Sequence, residues 1–349
     1  MTLPLAAAMA LTTDRRFLLI YIWLFGLTHF VLTLSVYLQS ENLRHFTANS
    51  KNILLFLVIP LTILMGFYVT GVFQLKARLP AVALGFGAAI RLLDFHHLNR
   101  QSFGVFQLFK ARTGIRPSPA MKRAENGYFA CLTSLLFATF LAGGVFPFLL
   151  PWTRAEIGVA VAKPGPALLP LGVIQAASVA VGALAVIFAA FCVALLIRTW
   201  NAGGRPAGLS AALTYLGFQT AAALLAIVSL PLYIATLAIH YVEYHVLMFP
   251  RCFHSRLNET SSLDRCFATL RRRPAIFYGV IAAAAFLVLV CIMLRQDSGT
   301  VRHLAVVSIF DGLFVFHYFV EMLIWRFSDP FFRRTLTPLY FTPRAQLSS

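Results

Sequence analysis

The chain has 349 residues, of which 59% are hydrophobic and 12% are charged, and its formal net charge is +17. This composition excludes an ordinary soluble domain, in which about a quarter of the residues are charged. The positive charge would suit nucleic acid, but it is concentrated between apolar segments and no aromatic stacking platform accompanies it. We therefore expect a membrane protein that binds no nucleic acid.

Nine apolar segments are long enough to cross a ~30 Å hydrocarbon layer as helices of about 20 residues. They lie near residues 17–38, 52–74, 79–99, 127–150, 168–197, 208–228, 231–249, 274–294 and 304–325. Their apolar residues are continuous rather than alternating, which favours helices over the strands of a barrel. We predict an all-α fold, a polytopic transmembrane helix bundle of about nine spans. The number falls to eight if the third segment, which contains Arg91, Asp94 and two histidines, does not cross fully.

The polar stretches between these segments are too short for a soluble domain. We expect an N-terminal tail over 1–16, one transmembrane helical domain over 17–325 and a basic interfacial tail over 326–349. If the N-terminus is outside, most lysines and arginines fall on the side of the C-terminus, which predicts a cytoplasmic C-terminus. We expect an integral, multi-pass protein of a bacterial inner membrane. Its basic loops would attract anionic lipid headgroups as partners.

Histidines and carboxylates form three clusters inside the third, seventh and ninth segments. The clusters are Asp94–Gln101 (DFHHLNRQ), His240–His245 (HYVEYH) and Asp311–Glu321 (DGLFVFHYFVE). Ionisable side chains are expensive at membrane depth, so such clusters indicate functional sites. The three segments cross the membrane in the same direction, and each cluster shortly precedes an arginine. We therefore expect the clusters to meet at one depth, in the cytoplasmic half of the membrane.

The third segment presents one polar helical face. Asp94, His97 and Gln101 are spaced i, i+3 and i+7, which places them on that face. His97 is a predicted metal ligand, and Asp94 is suited to hold its second ring nitrogen. His96 points about 100° away, so we place it beside the ligands, together with Asp94 and Gln101. The alternative is that both histidines lie in an interfacial loop and bind headgroups.

The seventh segment contains the strongest pair. His240 and Glu243 are spaced i, i+3, the spacing by which helix bundles present a histidine and a glutamate to one metal pair. His245 lies about 140° around the helix from His240, so both reach one centre only if the helix is distorted or the centre is broad. The alternative is a hydrogen-bonded network with Tyr241 and Tyr244.

The ninth and first segments supply the remaining candidates. His317 and Glu321 are spaced i, i+4 on one face, whereas Asp311 is rotated by about 120° from His317 and suits a proton path. His29 is the lone histidine of the first segment, either a ligand or a satisfied core residue. The predicted metal ligands are His29, His97, His240, His245, His317 and Glu321, and the predicted catalytic residues are Glu243 and Asp311.

Imidazoles with carboxylates suit iron, zinc, copper or manganese, and no cysteine accompanies them here. We prefer iron, because iron held by histidines and a carboxylate leaves coordination positions open for dioxygen. The phenylalanine-rich surroundings suit an apolar lipid or isoprenoid substrate. The predicted function is that of an enzyme, a membrane metal-dependent oxygenase or oxidase, served by an unidentified electron donor. A proton- or ion-coupled transporter and a haem-binding electron carrier are the alternatives.

The order of these motifs resembles the Brp/Blh family of integral-membrane β-carotene dioxygenases. The shared motifs are a histidine in the first span, another near the end of an early span, a histidine pair in a late span, and a histidine followed by a carboxylate in the last. The resemblance implies cleavage of a carotenoid by histidine-bound iron. By this resemblance the ligands are His29, His97, His240 and His245. Glu321 takes the position of the acidic residue after the final histidine. The chain departs from the family in HYVEYH, where four residues rather than three separate the histidines.

Overall fold

The computed structural model of the chain describes residues 20–73, 78–112, 115, 118–148, 167–203, 209–255, 261–294 and 301–341. The α-helices in chain order are α1 Thr28–Tyr37, α2 Ser40–Phe46, α3 Ser50–Ile53, α4 Ile59–Val72, α5 Pro80–Arg112, α6 Pro119–Leu141, α7 Leu171–Gly203, α8 Leu209–Val228, α9 Leu230–His254, α10 Ser262–Arg271, α11 Pro274–Leu294, α12 Val301–Ile324 and α13 Pro330–Phe341. Ile22–Leu27 and Leu54–Val58 are π-helical. These residues contain no strand, so the all-α prediction is confirmed. The predicted tail over 1–16 lies outside the described residues.

Several helices have the length and composition of membrane spans. Within the described ranges, three helices are long and apolar enough to cross a membrane, or four if one bent pair forms a single span. The three are Ser50–Val72, Leu171–Thr199 and Leu232–His254, and the bent pair is Ser262–Arg271 with Pro274–Val290. Shorter apolar helices lie at Trp23–Tyr37, Ala212–Val228 and Gly312–Ile324. The predicted number of nine spans is not confirmed.

The third predicted span shows one physical reason why a predicted span is not among these candidates. It falls within α5, a helix of 33 residues. Arg91, Asp94 and Arg100 interrupt the apolar residues of this helix, and charged side chains offset the hydropathy that its length would otherwise provide. Helix length alone therefore does not make α5 a span.

The outer faces of the long apolar helices suit lipid. Val186 on α7 is 70% exposed, and Val173, Val179 and Ile187 on the same helix are also exposed. A soluble monomer rarely leaves so many large apolar side chains on one helix in water. These faces agree with a helix that is surrounded by hydrocarbon.

The chain divides into two compact units. Of the described residues, unit 1 holds those within Arg91–His240, and unit 2 holds those within Arg15–Ile90 and Tyr241–Ser349. The predicted single domain over 17–325 and the tail over 326–349 stay predictions.

Close helix packing organises unit 1. Gly127 on α6 lies against the ring of Phe188 on α7, where a Cβ would come within 2.7 Å of Phe188 Cζ. Only glycine allows this approach without a shift of the ring. The hydroxyl of Tyr128 donates to Thr220 Oγ1 at 2.8 Å and so ties α6 to α8.

A buried ion pair joins α5 to α6 in unit 1. The Lys110 ammonium donates to Glu125, and both side chains are fully buried. Gln107 Nε2 donates to the second carboxylate oxygen at 2.6 Å, and the ammonium lies 4.5 Å from the centre of the Phe106 ring. Burial lowers the pKa of Lys110, and its hydrogen bond to Glu125 opposes that shift. These contacts satisfy charges that would otherwise be costly to bury.

Unit 2 brings helices from both ends of the chain together. On α12, Gly312 lies so close to α4 that a Cβ there would be 2.9 Å from the Cβ of Phe67. The indole nitrogen of Trp23 donates to the carbonyl of Ala282 at 2.7 Å, which fixes the π-helical segment Ile22–Leu27 on α11. Phenylalanines of α2 and α13 pack with Val320 and Leu323 of α12 in one apolar core.

Candidate metal centre

Two histidines and one glutamate converge in unit 2. Glu321 Oε1 lies 3.7 Å from His29 Nε2, and Glu321 Oε2 lies 3.7 Å from His317 Nε2. One ligand atom of each residue lies within 4.8 Å of the others. Two ligands that are each about 2.1 Å from one ion lie roughly 3–4 Å apart, so these separations are close to those of a metal site.

The three side chains come from two helices. His317 and Glu321 occupy one face of α12, as their i, i+4 spacing predicts. His29 lies in the first turn of α1, directly after the π-helical segment Ile22–Leu27. The wider π turns in proteins frequently occur at functional sites, since they alter which side chains face a neighbour.

The candidate ligands are shielded from solvent. His29, His317 and Glu321 are 1%, 2% and 4% exposed. A buried carboxylate requires a compensating charge or several hydrogen bonds. Arg251 of α9 is buried and contributes positive charge near Glu321, but the structure describes no ion pair between the two side chains. A bound cation would supply further positive charge.

Arg251 is itself held by the protein. Its guanidinium donates to the carbonyl of Ile324 at 3.1 Å and lies 5.0 Å from the centre of the Trp325 ring. Arg251 is the arginine that follows the cluster of the seventh segment in the sequence. Its position on α9 offers no sign that it contacts Ile324 and Trp325 at the end of α12.

A threonine orients one of the two rings. Thr33 Oγ1 lies 3.0 Å from Nδ1 of His317, and it also contacts the hydroxyl of Tyr244. Histidines that bind metals commonly use their second ring nitrogen in such a contact, which fixes the ring orientation. Thr33 is four residues after His29 on α1, and this spacing is the only sequence signal that could have identified it.

Aromatic rings enclose the centre. The ring of Tyr244 stacks on that of His29, with centroids 3.9 Å apart and planes 11° apart. Tyr241 meets the same imidazole edge-on at 5.4 Å, and Phe30 meets the ring of His317 edge-on at 4.4 Å. The tyrosines predicted as an alternative network thus lie against a candidate ligand. These rings limit the movement of both imidazoles.

A small apolar cavity lies beside His317. Its volume is about 40 Å³. Leu27, Phe30 and Phe314 are among the side chains that line it, and Thr33 and His317 provide its polar groups. The cavity thus offers an apolar space next to a candidate ligand.

The remaining predicted residues of unit 2 have different surroundings. His245 is partly buried on α9, and its Nε2 lies 3.4 Å from the hydroxyl oxygen of Thr28. Glu243 is partly buried on the same helix. Asp311 belongs to α12, but its side chain lies outside the described residues.

Unit 1 contains the other predicted ligands. The rings of His97 and His240 meet edge-on with centroids 5.2 Å apart, and Gln101 Nε2 donates to the His240 carbonyl at 3.0 Å. His240, the first residue of the cluster in the seventh segment, therefore contacts the cluster of the third segment within this unit. His97 is partly buried, whereas His96 is exposed. A common centre for these histidines and those of unit 2 stays a prediction.

Asp94 is also engaged within unit 1. The hydroxyl of Tyr233 donates to Asp94 Oδ2 at 2.9 Å, and the Arg91 guanidinium lies 3.4 Å from the same oxygen. The structure therefore adds Tyr233 as a partner that sequence reasoning missed. The predicted contact of Asp94 with His97 stays a prediction.

The sequence matches no family profile and no curated protein, and the fold matches no solved structure.

Proposed function

We propose that unit 2 holds a non-haem metal centre on His29, His317 and Glu321, and that the protein is a membrane metal-dependent oxygenase or oxidase. The observation that carries this proposal is the donor set, two buried imidazoles and one buried carboxylate around a common point. Two histidines and one carboxylate, with coordination positions left open, are typical of non-haem Fe(II) oxygenases. Iron is therefore the metal that we propose.

The apolar cavity beside His317 supports dioxygen as a reactant. Its volume of about 40 Å³ exceeds the roughly 10–15 Å³ that one water needs, and carbon atoms form most of its lining. Apolar cavities favour small apolar molecules over water. A transporter would instead require a continuous chain of polar groups along which protons could pass.

The residues of this chain have positioning roles around the metal. A bound iron would supply the redox chemistry. The Thr33 hydroxyl holds the His317 ring in one orientation, and the Tyr244 ring covers the face of His29. Together with Phe30, these groups exclude water from the ligands, which would limit side reactions at a bound metal.

The membrane setting supports an apolar lipid or isoprenoid as substrate. The long helices expose large apolar side chains, so a substrate dissolved in the bilayer can reach the protein laterally. The resemblance to β-carotene dioxygenases adds carotenoids to this class. His97, His240 and His245 as further ligands, and Glu243 and Asp311 as catalytic residues, stay predictions.

Haem is less compatible with this centre than a single ion. The ring centroids of His29 and His317 are 4.4 Å apart. This separation leaves no room for a porphyrin between two axial imidazoles. A haem site would also have no need of Glu321.

Elemental analysis of the purified full-length protein tests the proposal. We expect about one iron per chain in the wild type and a large loss in His317→Ala and Glu321→Gln, because each variant removes one of three protein ligands. His254→Ala is the matched control, since His254 is exposed at the end of α9. Circular dichroism would verify that each variant is folded.

Three outcomes would contradict the proposal. A wild type without stoichiometric transition metal would favour the transporter. Full iron in both ligand variants would refute the assignment of the ligands, and a Soret band would indicate haem. Stoichiometric zinc or copper would keep the centre but exclude iron. If iron is present, uptake of dioxygen tests the reaction class. We expect the wild type to consume dioxygen when an apolar lipid extract is added, and Glu321→Gln not to do so.

A further inference from the structure

A second cavity of unit 2 lies where apolar helices end. Its volume is about 610 Å³. Lys51 reaches it from the start of Ser50–Val72, Arg326 from the turn after Gly312–Ile324, and Arg334 from α13. Since hydrocarbon suits both apolar helices, we expect their ends, and therefore this cavity, to lie at a membrane surface.

The lining of this cavity carries more positive than negative charge. Lys51, Arg326 and Arg334 contribute three cations, and all three residues are exposed. The Nε of Arg326 donates to the hydroxyl of Ser328 at 3.1 Å, which holds its guanidinium at the rim. Cations from three separate segments therefore surround one space.

Asp329 is the one carboxylate among the described lining residues, and it already has partners within the protein. Asp329 Oδ1 accepts a hydrogen bond from the backbone N–H of Phe331 at 2.8 Å and so caps the start of α13. Asp329 Oδ2 lies 3.7 Å from His45 Nε2. This carboxylate therefore does not pair closely with the three cations in the contacts that the structure describes.

His45 adds an imidazole to the cavity. Its ring stacks on Phe331, with centroids 4.0 Å apart and planes 5° apart. Burial lowers the pKa of His45, Arg334 acts in the same direction, and Asp329 opposes them. At neutral pH this side chain is therefore an uncharged hydrogen-bonding group beside the cations.

We propose that this cavity binds the phosphate group of an anionic ligand through Lys51, Arg326 and Arg334. Guanidinium groups form paired hydrogen bonds with phosphate oxygens, and an ammonium adds a compact charge. The volume lies in the range of about 300–1,000 Å³ that is usual for small-molecule pockets. Both a phospholipid headgroup and a soluble phosphate compound have this chemistry. None of the three proposed metal ligands, His29, His317 and Glu321, lines this cavity.

Binding of a fluorescent phosphatidic acid to the full-length protein in neutral detergent micelles tests the site. We expect Lys51→Gln and Arg334→Gln each to weaken binding by about tenfold, because each removes one charge-assisted contact. Arg333→Gln is the matched control, since Arg333 is exposed on the same helix but does not line the cavity. Unchanged binding in the two test variants, or an equal loss in Arg333→Gln, would overturn the proposal.

Inorganic phosphate separates the two sources of the ligand. If it displaces the lipid from the wild type, and binds the wild type but not Arg334→Gln, the site accepts soluble phosphate. If the lipid binds in an Arg334-dependent manner and inorganic phosphate does not compete, the ligand is a lipid headgroup. Both results support phosphate recognition, and failure of both probes to bind the wild type would refute it.

Discussion

Thr33 Oγ1 lies 3.0 Å from Nδ1 of His317, so a hydroxyl of α1 holds the ring of a histidine on α12. The same hydroxyl contacts Tyr244, whose ring stacks on His29. One threonine therefore connects the surroundings of both candidate imidazole ligands. Outer contacts of this kind tune metal affinity without touching the metal.

Replacement of Thr33 by valine should weaken metal binding. Thr33→Val keeps the shape of the side chain but removes the hydroxyl, so the His317 ring loses its fixed orientation. We expect iron affinity to fall by about 10- to 100-fold in titrations of metal-depleted protein. Thr62→Val is the control, because the Thr62 hydroxyl is exposed and donates to the carbonyl of Val58, one turn before it. Equal affinity in wild type and Thr33→Val would contradict the orienting role.

Arg251 should stabilise the protein through the Ile324 carbonyl and through its charge near Glu321. Arg251→Leu removes this buried hydrogen bond and this positive charge, and we expect a loss of about 1–3 kcal/mol in the free energy of unfolding. Combined with Glu321→Gln, the loss should be smaller than the sum of the single effects, because the neutral amide no longer needs the cation. Denaturant unfolding of the four proteins in detergent measures this coupling. Strictly additive losses would show that the two side chains do not interact.

Two glycines of unit 2 should respond in opposite ways to alanine. Gly312→Ala would place a Cβ 2.9 Å from Phe67, so α4 and α12 must separate, at a cost of about 1–3 kcal/mol. Gly279 on α11 has no heavy atom within 4 Å of that position, so Gly279→Ala should gain up to about 1 kcal/mol from helix propensity. Thermal unfolding of both variants measures the difference. A loss of similar size in both would argue against the close approach of α4 and α12.

His45 should make stability depend on pH. Its pKa in the folded protein is below the ordinary 6.5, so the unfolded chain takes up the proton first as the pH falls. The stabilising contribution is therefore complete above about pH 6.5 and is lost below it. Asp329, Arg334, Lys51 and Arg326 are the charged groups that line the same cavity.

The comparison with His45→Gln isolates this contribution. The melting temperature of the wild type should fall more between about pH 7.5 and pH 5 than that of His45→Gln, because glutamine at position 45 does not titrate while the other histidines are the same in both proteins. Parallel curves for the two proteins would show that His45 is not responsible.

The helical fold and the membrane class follow from short-range features of the sequence. Long apolar segments can satisfy their backbone in lipid only as helices or closed barrels, and continuous hydropathy selects helices. The number of spans does not follow in the same way. Arg91 and Asp94 fall within an otherwise apolar segment, and hydropathy alone does not decide whether α5 crosses the membrane.

The pair of His317 and Glu321 was likewise predictable, because residues spaced i, i+4 share one helical face whatever the rest of the chain does. The roles of Thr33, Tyr244 and Arg251 were not, since each depends on contacts between different helices. Hydrogen-bonding side chains also occur in many apolar helices without any functional role. A single sequence therefore does not separate these residues from ordinary core residues.

The sequence by itself thus determined that the chain is helical and apolar enough for a membrane, and that α12 carries a histidine and a carboxylate on one face. Only the tertiary structure decided that His29, from the other end of the chain, joins them. Local spacing sets which side chains share a helical face, because helix geometry repeats every 3.6 residues. Which helices then meet depends on packing over the whole unit, such as the contact of Gly312 with Phe67.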